Sequence, residues 1–138
     1  MKNILIKMKT KTIIQASILI ILVVVLIFLL TGSTFSEINA DEFETLIESE
    51  NVFVINTHTP YVGEIKNTDL IAEQWDDMSL YLDKLPEDKS TPIAVYCRSG
   101  NMATTSSQQL IDLGYTNVYN LEGGMNSWQE SGRELIGN

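Results

Sequence analysis

The chain has 138 residues, enough for one domain of ordinary size and too few for a multidomain enzyme or a full-sized dinucleotide-binding fold. All 18 acidic residues follow Ser36, so the part beyond residue 31 holds five basic and eighteen acidic groups, which argues against a nucleic-acid partner. A single cysteine excludes an internal disulfide framework and any multi-cysteine zinc site. In chain order, residues 1–12 come first and carry Lys2, Lys7, Lys9 and Lys11. Residues 13–30 are apolar except for Gln15 and Ser17, and no charge occurs from Thr12 to Ser36. A helix of that apolar length is about 27 Å long, close to the hydrocarbon thickness of a bilayer. It has no polar stripe of the kind a surface helix of a small domain shows. Residues 13–31 are therefore expected to form a transmembrane anchor or a signal segment, and the anchor is preferred because signal-peptide apolar regions are shorter. Lysines precede this segment, whereas Glu37, Asp41 and Glu42 follow it. The positive-inside rule then places residues 1–12 in the cytoplasm and the domain on the extracytoplasmic side, or secreted after cleavage.

The soluble part, residues 35–138, reads as strands alternating with helices. Asn39 or Asp41 can cap a helix over about 41–49, in which Phe43, Leu46 and Ile47 fall at helical spacing. Val52-Phe53-Val54-Ile55 is a short apolar run rich in β-branched residues, as in a buried strand. Residues 57–77 read as irregular. Leu80, Leu82 and Leu85 predict a short helix stopped by Pro86. Ile93-Ala94-Val95-Tyr96 is a second buried strand, and Ser99-Gly100-Asn101 opens a helix over about 102–113 that ends at Gly114. Val118-Tyr119 and Leu121 form a third strand, Gly123-Gly124 a turn, and Met125 to Ser131 a last helical stretch with Met125 and Trp128 in the core. Strands joined through helices imply an α/β domain with a central parallel sheet flanked by helices. Such sheets bind ligands beyond the carboxyl ends of their strands.

Cys97 sits at such an end. A thiol is a poor nucleophile until it is ionised. The loop Arg98-Ser99-Gly100-Asn101 leads into a helix N-terminus, where backbone N–H groups and the helix dipole favour an anion. Gly100 permits a tight turn, and Arg98 adds a positive charge. The loop is therefore suited to a thiolate and to an anionic group bonded to it.

The run Ile93-Ala94-Val95-Tyr96-Cys97-Arg98-Ser99-Gly100-Asn101 resembles the active-site strand and loop of rhodanese-like domains. The resemblance continues through Leu110-Ile111-Asp112-Leu113-Gly114-Tyr115, Asn117-Val118 and Leu121-Glu122-Gly123-Gly124-Met125 to Trp128 and Gly132. It implies a single rhodanese-like domain over 35–138 and sulfur transfer in two half-reactions. Cys97 would accept a sulfane sulfur from a small donor, become a persulfide, and pass the sulfur to a thiol or cyanide. Arg98, Ser99, Gly100, Asn101 and Met102 would line the substrate pocket. No cofactor and no metal are expected.

The chain departs from the family pattern in three places. An Asp-x-Arg pair at the end of the first strand is replaced by Asn56-Thr57-His58. A Gly-His-Ile-Pro-Gly-Ala stretch is replaced by Gly63-Glu64-Ile65-Lys66-Asn67-Thr68. The position after Asn101, often Arg, is Met102, which removes a cation from the pocket and disfavours small anionic donors such as thiosulfate. Ala103, the sixth residue after Cys97, stands where a related phosphatase loop has its arginine, so phosphate-ester hydrolysis is not expected. His58, the only histidine, follows the first strand and lies on the same sheet edge as Cys97 if the strands are parallel, where it is a candidate to contact the substrate or to shift the ionisation of the thiol. Asp69, Asp76 and Asp77 match no calcium loop and read as a solvated acidic loop. The second functional reading is a catalytically silent module that holds a sulfur species or docks a partner protein at the membrane. If a protein partner exists, the acidic surface favours a basic one.

Overall fold

The three runs read as buried strands become strands at 53–56, 93–96 and 118–121, the centre of one sheet in the computed structural model, which describes residues 13–26 and 34–137. The chain divides into two units, Met1–Ser33 and Thr34–Asn138. In the first, the described residues 13–26 are helical, labelled α1, with every side chain exposed. Ser17 satisfies its hydroxyl within the helix by donating to the Ile13 carbonyl at 2.9 Å. Among the described residues no helix is long and apolar enough to cross a membrane. The expected span over 13–31 is not supported by the described residues, and residues 27–31 of it lie outside them. Residues 1–12 and 27–33 lie outside the described residues.

In the second unit the sheet is five-stranded, with order β1-β5-β4-β2-β3 and every pairing parallel. Its strands are β1 (Ser36–Ile38), β2 (Phe53–Asn56), β3 (Leu70–Ile71), β4 (Ile93–Tyr96) and β5 (Val118–Leu121). The helices are α2 (Ala40–Ile47), α3 (Asn101–Asp112) and α4 (Gly124–Glu130), with a 3-10 helix at Met78–Tyr81. The expected α/β domain with a central parallel sheet is thus observed.

Local chemistry explains where the elements begin. The Asn39 side chain caps α2 by accepting from the Asp41 and Glu42 amides, while the Glu42 carboxylate accepts from the Asn39 amide. Asn39, not Asp41, is therefore the cap. α3 starts from Gly100, which has a positive φ of 98° and offers no side-chain cap. β4 is buried along its whole length, and its alternating side chains feed two cores. Ile93 and Val95 pack with Ala103 and Leu110 of α3, and Cys97 continues that side. Ala94 and Tyr96 pack with Phe43 of α2 and with Met125 and Trp128 of α4.

Two expectations need correcting. Residues 57–77 are not wholly irregular, since Leu70–Ile71 pairs with β2. Asp69, Asp76 and Asp77 are all exposed, and the Asp69 carboxylate also accepts from the Val54 amide at 2.8 Å. The helix predicted from Leu80, Leu82 and Leu85 is a 3-10 helix placed earlier. Leu80 and Leu82 are exposed while Met78, Tyr81 and Leu85 are buried, because Asp77 caps the turn through the Ser79 amide and sets the register.

Candidate active site

Cys97 follows the last residue of β4, at the carboxyl edge of the sheet. Its side chain is 1% exposed. Three residues on, the chain turns back, and the Gly100 amide donates to Cys97 Sγ at 3.1 Å. The amides of Ser99, Asn101 and Met102 find no acceptor among the described residues. They are the orphan donors of the α3 N-terminus and of the loop before it, and they suit an anion.

The loop is held from outside by the turn that starts α4. The Met125 amide donates to the Cys97 carbonyl at 2.8 Å, and the Asn126 amide donates to the Arg98 carbonyl at 3.0 Å. Both loop carbonyls are therefore turned towards α4. Gly124 makes this approach possible. A Cβ there would collide with the Cys97 carbonyl oxygen and lie 2.8 Å from the Arg98 carbonyl carbon. The Gly-Gly pair reads as a turn in the sequence, and its role in bracing the cysteine loop becomes visible only when the two segments meet.

The other predicted site residues divide into three groups. Arg98 and Ser99 are exposed at the loop, and Gly100 is buried beneath it. Asn101 is exposed as the first residue of α3. Met102 is partly buried and packs against the core on the Cys97 side. His58 is 8% exposed, and burial, followed by the nearby Arg98 charge, holds it below its ordinary value, so it is neutral near pH 7. It shares the sheet edge with the cysteine loop, as the parallel pairing of β2 with β4 requires.

The departures at the first strand also have structural answers. Asn56 stands where the family has its acid. Its amide oxygen accepts from the His58 amide at 2.9 Å, and its amide nitrogen donates to the Gly63 carbonyl at 3.2 Å. Thr57 ties the same segment to β4, its amide and hydroxyl both donating to the Tyr96 carbonyl. The Tyr96 hydroxyl accepts from the Ile65 amide at 2.9 Å and meets Thr68 Oγ1 at 2.7 Å. Thr68 donates to the Ile65 carbonyl, so Tyr96 is the donor in that pair. Burial pushes the Tyr96 phenol up to about 12. An acid–arginine brace does occur, but elsewhere. Arg133 pairs with Asp41 and Glu44 of α2 and lies over the Trp128 ring. Arg133, and next Lys66, hold the Glu44 carboxyl below its usual range. No group of His, Cys, Asp and Glu residues able to hold a metal occurs among the described residues.

The sequence profile of the Rhodanese-like domain matches residues 39–131. The chain belongs to the rhodanese-like domain family. A rhodanese-related protein from Thermoplasma volcanium superposes with a TM-score of 0.61 at 26% identity, covering 74% of this chain and 98% of that one. A sulfurtransferase of Allochromatium vinosum is 24% identical over 103 residues, which are 73% of this chain and 94% of that protein. A tRNA uridine(34) hydroxylase of Wolbachia pipientis subsp. Culex pipiens (strain wPip) is 29% identical over 105 residues, 73% of this chain and 37% of that protein. The chain spans about a third of the length of the tRNA uridine(34) hydroxylases it matches.

Proposed function

We propose that this rhodanese-like domain is a sulfurtransferase that carries a sulfane sulfur as a persulfide on Cys97. The observation that carries this reading is the loop itself: Sγ accepts from the Gly100 amide at 3.1 Å, beside amides that have no acceptor among the described residues. In the first half-reaction the Cys97 thiolate attacks the outer sulfur of a donor. The new Sγ–S bond forms, the donor S–S bond breaks, and the donor leaves as sulfite or as a thiolate. In the second, cyanide or an acceptor thiolate attacks the outer sulfur and returns Cys97 as a thiolate. The loop amides hold the negative charge of the persulfide between the two steps. With Met102 in place of a cation, an organic persulfide or protein thiol suits this site better than thiosulfate.

Residues 13–31 anchor the domain on the extracytoplasmic side in this reading. The lysines before that segment and the acids after it support the orientation. The near-complete burial of Cys97 favours a second reading, a silent module that binds a sulfur species or a partner without turnover.

Intact-mass spectrometry separates the two. The full chain, purified in mild detergent, is mixed with thiosulfate or with a low-molecular-weight persulfide, and Cys97→Ser serves as the control. A gain of one sulfur atom that cyanide removes and the variant lacks is the expected result. A folded, reduced protein that gains no sulfur from either donor would leave the silent module. The mass of the mature N-terminus from expressing cells reports whether the apolar segment stays on the chain or is cleaved.

A further inference from the structure

The Gly100 carbonyl accepts twice, from the Thr104 amide at 2.8 Å and from the Thr104 hydroxyl at 3.0 Å. That carbonyl belongs to the same peptide group as the Asn101 amide. The peptide is trans, so its C=O and N–H point opposite ways. Holding the Gly100 oxygen towards the body of α3 therefore turns the Asn101 N–H outward, to the anion site at the helix N-terminus. This N–H has no acceptor among the described residues. The Gly100 amide, which meets Cys97 Sγ, belongs to the preceding peptide group.

Thr104 has one hydroxyl proton and gives it to Gly100. Its oxygen is left to accept, and the Asn120 amide nitrogen donates to it at 3.2 Å. Asn120 lies on β5 opposite Glu37 of β1, and its amide nitrogen also donates to the Glu37 carboxylate at 3.4 Å. An ionised carboxylate can only accept, so Glu37 keeps the nitrogen end of Asn120 on this side. The orientation has a cost. Asn120 is 1% exposed, and its amide oxygen is buried with no partner among the described residues. An apolar side chain would leave no such orphan acceptor, so fold stability alone does not account for an asparagine here. What the asparagine supplies is a directed run of hydrogen bonds, from its amide to the Thr104 hydroxyl to the Gly100 carbonyl, in which each bond polarises the next.

We infer that Asn120 and Thr104 are positioning residues for the Cys97 persulfide. Asn120 orients and polarises the Thr104 hydroxyl. That hydroxyl holds the Gly100–Asn101 peptide with its N–H aimed at the outer sulfur of the persulfide anion. This rests on the sulfur-transfer reading above and adds to it two residues outside the cysteine loop, neither of which touches the sulfur. The role is confined to the charge on the outer sulfur, because the thiolate is met by the Gly100 amide of a different peptide group.

The test follows two reactions of Cys97 in the full chain. One is the equilibrium ratio of persulfide to thiol at Cys97, read by intact mass in a fixed mixture of a low-molecular-weight persulfide and its thiol. The other is the rate of alkylation by iodoacetamide, which consumes the thiolate and leaves no anion on the loop. Thr104→Val and Asn120→Val are each expected to lower the persulfide ratio by roughly three- to tenfold, part of the worth of one charge-assisted hydrogen bond. Alkylation is expected to keep its rate in both. Thr104→Ser keeps the hydroxyl and is expected to keep the ratio. In the Thr104→Val background, Asn120→Val is expected to add nothing, because Asn120 acts through the hydroxyl already removed. A ratio unmoved by both variants, alkylation falling in step with the ratio, or additive effects in the double variant would overturn the positioning role and leave sulfur transfer in place. Failure of the unsubstituted chain, folded and reduced, to take up any sulfur would instead overturn the sulfur-transfer reading and the positioning role with it.

Discussion

Gly124→Ala tests whether the α4 turn is what holds the cysteine loop. Gly124 has φ of +59°, where a non-glycine residue costs about 1 kcal/mol. The added Cβ would also strike the Cys97 carbonyl oxygen and come within 2.9 Å of the Arg98 carbonyl oxygen. Relief of that clash requires the two segments to part. Parting them loses the hydrogen bonds from the Met125 and Asn126 amides, each worth about 1 kcal/mol net. The expected loss of stability is therefore about 3 kcal/mol, a large share of the ~5–15 kcal/mol of an ordinary domain. Gly114→Ala is the control. Its φ is +94°, but a Cβ there meets nothing within 4 Å, so only the backbone cost of about 1 kcal/mol applies. Urea midpoints give the two stabilities. Persulfide loading of Cys97 gives the functional readout, and a loop shift of one ångström would slow it by roughly a hundredfold. Equal midpoints for the two variants, with loading unchanged in Gly124→Ala, would refute the argument that the turn braces the loop.

Tyr96→Phe removes the acceptor of the buried Ile65 amide and the partner of Thr68, with an expected loss of about 1–3 kcal/mol measured by urea denaturation. An unchanged midpoint would show that the phenol is not what pins the 57–69 segment to β4. His58 is held below its ordinary 6.5 by burial and then by Arg98, so the unfolded chain takes up the proton first as pH falls. Its contribution to stability is complete above about pH 6.5 and is lost progressively as pH drops through that value towards the lower value of the folded protein. The stability difference between the unsubstituted chain and His58→Asn is expected to shrink between about pH 8 and pH 5.5. A difference that stays constant over that range would mean His58 titrates alike in both states.

The sequence by itself determined the elements whose signal is local. The runs Val52-Phe53-Val54-Ile55, Ile93-Ala94-Val95-Tyr96 and Val118-Tyr119 with Leu121 read as strands, which the structure places one residue later for the first, and the Cys97 loop followed by a helix was legible from Gly100 and the helical period after it. A cap at Asn39 or Asp41 was legible too, and the structure decided for Asn39 with Glu42 closing the capping box. Tertiary structure alone decided the rest. β1 and β3 have three and two residues, too few to show an alternation, and they exist because β5 and β2 offer them a partner. Asp69 looked like one acid among many until Val54, 15 residues earlier, supplied an amide for it. Asn56 takes over the anchoring of its loop through its own amide group, a role its identity alone does not reveal. The approach of Gly124 to the Cys97 carbonyl depends on segments far apart in the chain. Periodicity and capping describe a residue's near neighbours. Hydrogen bonds between distant segments are fixed only when the sheet order brings them together.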